Sequence, residues 1–176
     1  MCIRELMGKN KSKTKGNKFE LDISKYLTEK FGESFTRVPN SGAFIGGQNQ
    51  VRKDQLSDNQ IRLFKGDIIP PDTMSNLVIE CKHYADFPFH KLIGDHSIPL
   101  LDGWISEVEF DAGEVDLWFL IWKISRHGTY ILCDDRWAFN HNQRDSVWYK
   151  SYVINELDTF LGDDGNVDFI RKIFEK

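Results

Sequence analysis

Apolar side chains recur at helical spacing through residues 16–31, at Phe19, Ile23, Tyr26, Leu27 and Phe31. This spacing predicts an amphipathic helix closed by Gly32, with Glu20 at the edge of its buried face. Residues 1–15 read as a mobile lead-in. Residues 34–38 read as a short strand that stops at Pro39-Asn40-Ser41-Gly42. The glycine-rich polar stretch 43–65 is long for a loop and is expected to be functional or to hold a small element of its own. Residues 66–69 and 77–83 predict two strands of a hairpin around the turn region Pro70-Pro71-Asp72. Helical spacings follow at 88–95 and 98–110, the second through Ile98, Leu101, Trp104, Ile105 and Val108. Residues 115–124 are apolar on both faces, as a buried central strand requires. Arg126-His127-Gly128 turns the chain into another strand at 129–134. A last helix is expected from Val167, capped by Asn166, with Phe169, Ile170, Ile173 and Phe174 on one side. The order predicts an α/β architecture, a mixed central sheet flanked by helices.

Composition narrows this picture. The 176 residues, 40% apolar and 13% aromatic, suit one domain with a sizeable core, here 16–176 behind a flexible basic arm at 1–15. No apolar run approaches the ~20 residues of a membrane span, and no apolar region suggests a cleaved secretory signal. Cys2, Cys81 and Cys133 form no CxxC pair, which fits a reducing cytoplasm rather than a disulfide framework. The net charge is −4, but it is unevenly spread. Arg4, Lys9, Lys11, Lys13, Lys15 and Lys18 face one acid, Glu5, within the first 18 residues. A basic arm on an acidic body suits a polyanion partner, or equally a solvated terminus. Asp102, Glu107, Glu109, Asp111, Glu114 and Asp116 make residues 102–116 acidic without a base. That segment reads as a solvated helix face turned away from any bound duplex.

The candidate chemistry lies in Lys65-Gly66-Asp67 and in Ile79-Glu80-Cys81-Lys82. Strand residues two apart share a face, so Glu80 and Lys82 point one way and Ile79 and Cys81 the other. Asp67, on the partner strand, can lie close to Glu80. Two carboxylates so placed repel each other unless a cation stands between them. Mg²⁺ suits such a pair, because it prefers hard oxygen ligands and keeps waters and phosphate oxygens. Lys82 could orient or deprotonate a water, or stabilise charge on a phosphorane. The plain alternative is a solvated Glu-x-Lys ion pair worth little.

Four elements occur in order: Gly16-Asn17-Lys18-Phe19-Glu20, Arg37-Val38-Pro39-Asn40-Ser41-Gly42, Gly66-Asp67 and Ile79-Glu80-Cys81-Lys82. Together they resemble the PD-(D/E)xK nuclease superfamily, and within it the archaeal-type Holliday junction resolvases and their phage relatives. The resemblance implies a restriction-endonuclease-like fold and a Mg²⁺-dependent endodeoxyribonuclease, with Mn²⁺ as a substitute, in the cytoplasm of a bacterial, archaeal or phage-infected cell. It implies Asp67, Glu80 and Glu20 as metal ligands and Lys82 as the catalytic lysine. Ser41 would stand near the scissile phosphate, and Arg37 would touch the DNA backbone. It also implies a homodimer that cuts branched DNA. Two departures stand out: Gly66 replaces the proline of the family name, and the 43–65 insert separates the motifs. Arg52, Lys53, Arg62 and Lys65 make that insert a DNA-gripping candidate or a solvated loop. A nuclease for duplex ends or specific sites, and a silent DNA-binding module, are the alternatives.

Other chemistries fit poorly. Cys81, His83, His90, His96, His127 and Cys133 lack paired zinc-ligand spacing. Residues 42–47 lack the Gly-Lys-Ser/Thr ending of a phosphate loop. Cys81 reads as a small buried filler and His83 as a surface residue. The five tryptophans read as core or dimer contacts rather than base-stacking platforms.

Overall fold

A computed structural model describes residues 3–39, 65–94, 96–113, 117–137, 139, 145–162 and 164–175. Ser41, Arg52, Lys53 and Arg62, with the insert that carries three of them, lie outside the described residues, as do Glu114 and Asp116.

Helix α1 spans Ile3–Phe31. It buries Phe19, Ile23, Leu27 and Phe31, the stripe expected from the spacing, and stops at Gly32, whose φ of 65° suits the left-handed C-terminal position. The helix therefore begins 13 residues before Gly16, and the backbone of the expected lead-in is helical from Ile3. Once the packed half is nucleated, each added residue gains a hydrogen bond for little further ordering, and lysine is a good helix former.

Seven strands form one sheet in the order β1-β2-β3-β4-β5-β7-β6. They are β1 (Thr36–Arg37), β2 (Ile68–Ile69), β3 (Leu77–Tyr84), β4 (Leu117–Ile124), β5 (Gly128–Asp134), β6 (Val147–Tyr149) and β7 (Tyr152–Glu156). All neighbours are antiparallel except β3 and β4, which run parallel in the register Glu80↔Leu120. A parallel pair needs a crossover. Helix α2 (Pro99–Ala112) supplies it and covers one face of the sheet with Leu101, Trp104, Ile105 and Val108. Helices α1, α3 (Leu157–Gly162) and α4 (Asp164–Phe174) cover the other face. The mixed α/β sheet flanked by helices is the expected fold class.

Several elements differ from expectation. Residues 88–95 form only a 3-10 turn at Phe89–Leu92; Pro88 and Gly94 leave too little length for an α-helix. The last helix starts at Asp164, and Asn166 lies inside it, donating its side-chain amide to the Phe160 carbonyl of α3. Hairpin β6–β7 and helix α3 were not anticipated. The hairpin turns through Lys150, at φ 57°, and Ser151, so the Asn-Gly or Asp-Gly signal of a tight turn is missing. Trp104, Trp118 and Trp122 are core residues, whereas Trp148 is 46% exposed. Among the described residues no helix is long and apolar enough to cross a membrane.

Candidate active site

Gly66 sets the position of Asp67. Its φ is 66°, and a Cβ there would stand 2.5 Å from the Ile79 carbonyl oxygen. Only glycine allows both the left-handed conformation and that approach. The approach lets the Asp67 N–H donate to the Ile79 carbonyl at 2.8 Å and sets Ile68 opposite Ile79. By register Asp67 then lies beside Glu80. The Asp67 side chain is buried, and its Oδ2 accepts the Cys81 N–H at 2.9 Å. The carboxylate is thus held by the main chain of β3.

Alternation along β3 divides the remaining groups as the sequence implied. Ile79 and Cys81 pack in the core beneath α1, while Glu80 and Lys82 point to the α2 side. Lys82 Nζ lies 2.9 Å from Glu80 Oε1 and 2.5 Å from Glu107 Oε2 of α2. Burial, then the charge of Asp67, pushes the Glu80 carboxyl up to about 8, against the pull of Lys82. Burial opposes the Lys82 ammonium, but Glu80 and Glu107 outweigh it and raise its pKa, so Lys82 stands as a cation.

Glu20 is buried on α1 and accepts a hydrogen bond from Arg37 Nε at 2.6 Å, tying the helix to edge strand β1. The Cys81 thiol lies within the field of these acids. Burial raises its pKa first, and the charges of Asp67, Glu80 and Glu20 add to the rise in that order. Carboxylates just before β2, on β3 and on α1 thus all act on the Cys81 thiol.

This set suits a divalent cation. Asp67 and Glu80 offer hard oxygen donors beside each other, and burial and Asp67 disfavour the charged form of Glu80, a cost that a cation would relieve. Among the described residues no group of three His, Cys, Asp or Glu side chains stands ready to hold an ion. A pair of carboxylates with waters and phosphate oxygens is the usual arrangement for a small hard cation.

The other sequence candidates fall elsewhere. Lys65 Nζ lies 3.4 Å from the Ala112 carbonyl, at the C-terminus of α2, where a cation meets the negative end of the helix dipole. His83 bridges elements: its Nε2 is 3.2 Å from Ser125 Oγ and its ring packs on Phe19.

Within the described part of the acidic segment, Glu107 is exposed as a solvated face requires, but Asp102 and Glu109 are half-buried and bonded. Asp102 accepts from Ser97, Tyr149 and Lys150, and Glu109 from Tyr152. These bonds fasten α2 to β6–β7. Glu107 was not foreseen as a site residue, and its contact with Lys82 brings α2 to the site instead of turning it away. Its local sequence carries no signal for this; only the crossover between parallel strands sets α2 over Lys82.

No curated protein and no solved structure matches the chain. A family model described as "Phage putative PDDEXK endonuclease" matches residues 11–164, an interval that contains Glu20, Arg37, Asp67, Glu80 and Lys82. The fold, the order of these residues and that match together place this chain in the phage PDDEXK endonuclease family, within the PD-(D/E)xK nuclease superfamily.

Proposed function

We propose that this endonuclease is Mg²⁺-dependent and cuts branched DNA, four-way junctions above all, as a homodimer with one site for each of two strands. The observation that carries the reading is the apposition of Asp67, Glu80 and Lys82 on hairpin β2–β3, with Glu20 and Arg37 beside it. Asp67 and Glu80 would hold the cation, with Glu20 facing it directly or through water. A bound divalent ion supplies a counter-charge for the phosphodiester and makes a coordinated water more acidic.

The chain's own groups do the rest. Lys82, held by Glu80 and Glu107, offers its ammonium to the charge that builds on the phosphorane oxygens. Arg37 uses Nε for Glu20, and its terminal nitrogens have no partner among the described residues, which suits a backbone phosphate. The junction preference draws support from the similarity of the Glu20 and Arg37–Ser41 segments to junction resolvases. Ser41, Arg52 and Lys53 extend the proposed DNA contacts, while the Lys65 bond to α2 makes it the weakest member of that set.

The test is cleavage of a synthetic four-way junction and of a linear duplex of the same sequence, with Mg²⁺, Mn²⁺ or EDTA. Wild type is compared with Lys82→Ala and Asp67→Asn. The expected result is paired, symmetrical nicks in the junction that need the metal and vanish in both variants. A linear duplex cut faster than the junction would defeat the resolvase reading and favour duplex ends or specific sites. Equal activity of wild type and Lys82→Ala would remove Lys82 from the mechanism. A monomer by sedimentation, with and without DNA, would defeat the dimer.

A further inference from the structure

An open groove of about 720 Å³ runs between α1 and the edge strand β1. Lys18, Lys25 and Arg37 line it, over a floor that includes Leu21 and Phe35, with Thr36 along the edge. Among the described residues no acidic side chain lines it, on a chain whose net charge is −4. Lys18 and Lys25 are exposed and bonded to no carboxylate among the described residues. Their side chains are therefore solvated cations held along one stripe of a helix that its buried stripe fixes to the sheet. Leu21, between them, is 45% exposed. Arg37 lines the groove from the β1 side and is joined to Glu20 of α1.

We propose that this groove seats the sugar–phosphate backbone of the DNA strand and leads it to the Glu20–Arg37 end of the active site. The inference rests on the DNA-cleaving function above and specifies its path. Seven helical residues separate Lys18 from Lys25, about 10 Å of axial rise. A duplex strand winds about its axis while it rises about 3.4 Å per nucleotide, so phosphates only one or two steps apart already span a similar distance. The two ammonium groups thus match phosphates one or two steps apart, and the apolar floor suits deoxyribose carbons that lie between them. Two lysines bonded to no carboxylate among the described residues, with Arg37 beside them, fit a polyanion better than a second copy of a chain with net negative charge.

The experiment measures binding of a fluorescein-labelled four-way junction by anisotropy in EDTA, so that nothing is cut, over a range of NaCl concentrations. Wild type is compared with Lys18→Glu/Lys25→Glu and with Lys91→Glu/Lys172→Glu, which makes the same charge change at exposed positions outside the groove. Urea midpoints check that all three fold. The groove variant is expected to bind at least tenfold more weakly at 0.1 M salt. Its slope of log K against log[salt] should be smaller by about 2, because each phosphate contact contributes about 0.9. The outside variant should keep the wild-type slope. An unchanged slope in the groove variant, or equal losses in both variants, would overturn the path while wild-type cleavage left the nuclease function intact. A groove variant that lost only self-association would assign the groove to a second copy and overturn the proposal. Wild type that neither bound nor cut DNA would defeat the function and the path together.

Discussion

Replacing Gly66 with alanine tests the link between backbone geometry and the site. The residue sits at φ 66°, and the new Cβ would approach the Ile79 carbonyl oxygen to 2.5 Å. A left-handed conformation costs a residue with a Cβ about 1–2 kcal/mol. The overlap also cannot stand, so β2 must retreat by about half an ångström or more from β3. That stretches the Asp67 N–H···Ile79 bond, now 2.8 Å, and a weakened buried hydrogen bond costs about 1 kcal/mol more. The total is about 2–3 kcal/mol. With an m-value of about 2 kcal/mol per M urea, the midpoint should fall by about 1–1.5 M. Urea titration followed by tryptophan fluorescence measures it directly. Gly103→Ala is the control: it lies within α2, a Cβ there would meet nothing within 4 Å, and alanine should raise stability by about 0.5–1 kcal/mol. A Gly66→Ala midpoint within about 0.3 M of wild type, or one that moved with Gly103→Ala, would refute the geometric argument.

Two further outcomes follow from the electrostatics. Between the ordinary carboxylate range and about pH 8, folded protein keeps a proton on Glu80 that the unfolded chain has released. Without metal, the free energy of unfolding should therefore fall as pH rises through that window. Glu80→Gln should flatten the dependence, and saturating Mg²⁺ or Mn²⁺ should reverse it; urea midpoints at pH 5, 6.5 and 8 decide, and a rising metal-free profile would contradict the buried-carboxyl account. Arg37→Ala removes the 2.6 Å bond to the buried Glu20 carboxylate and should cost about 1.5–3 kcal/mol. Arg37→Ala/Glu20→Gln should recover most of it by thermal denaturation, and a double variant no more stable than Arg37→Ala would exclude a charge effect.

The hairpin β2–β3 shows how far local rules reach. Alternation along β3 is a covalent consequence of strand geometry, so the shared direction of Glu80 and Lys82 was legible from residue order. The stripe of α1, with Glu20 beside it, was legible for the same reason, as was the strand at 117–124, whose two apolar faces need cover on both sides. Each of these depends on a period that a few neighbouring residues display by themselves. Hairpin β6–β7 and helix α3 were not legible, because Lys150-Ser151 carries no turn signature and the segment is short.

The chain by itself determined which side chains share a strand face, where α1 stops and which residue types could bind a cation. The tertiary structure alone decided that Asp67 hangs from the Cys81 N–H and that Glu20 pairs with Arg37. It also decided that Lys65 turns to the end of α2 and that Glu107 reaches Lys82. The physical reason is distance along the chain. Periodicity records contacts within one element, whereas these contacts join groups 14 to 47 residues apart on different elements, which only the packing of those elements brings together.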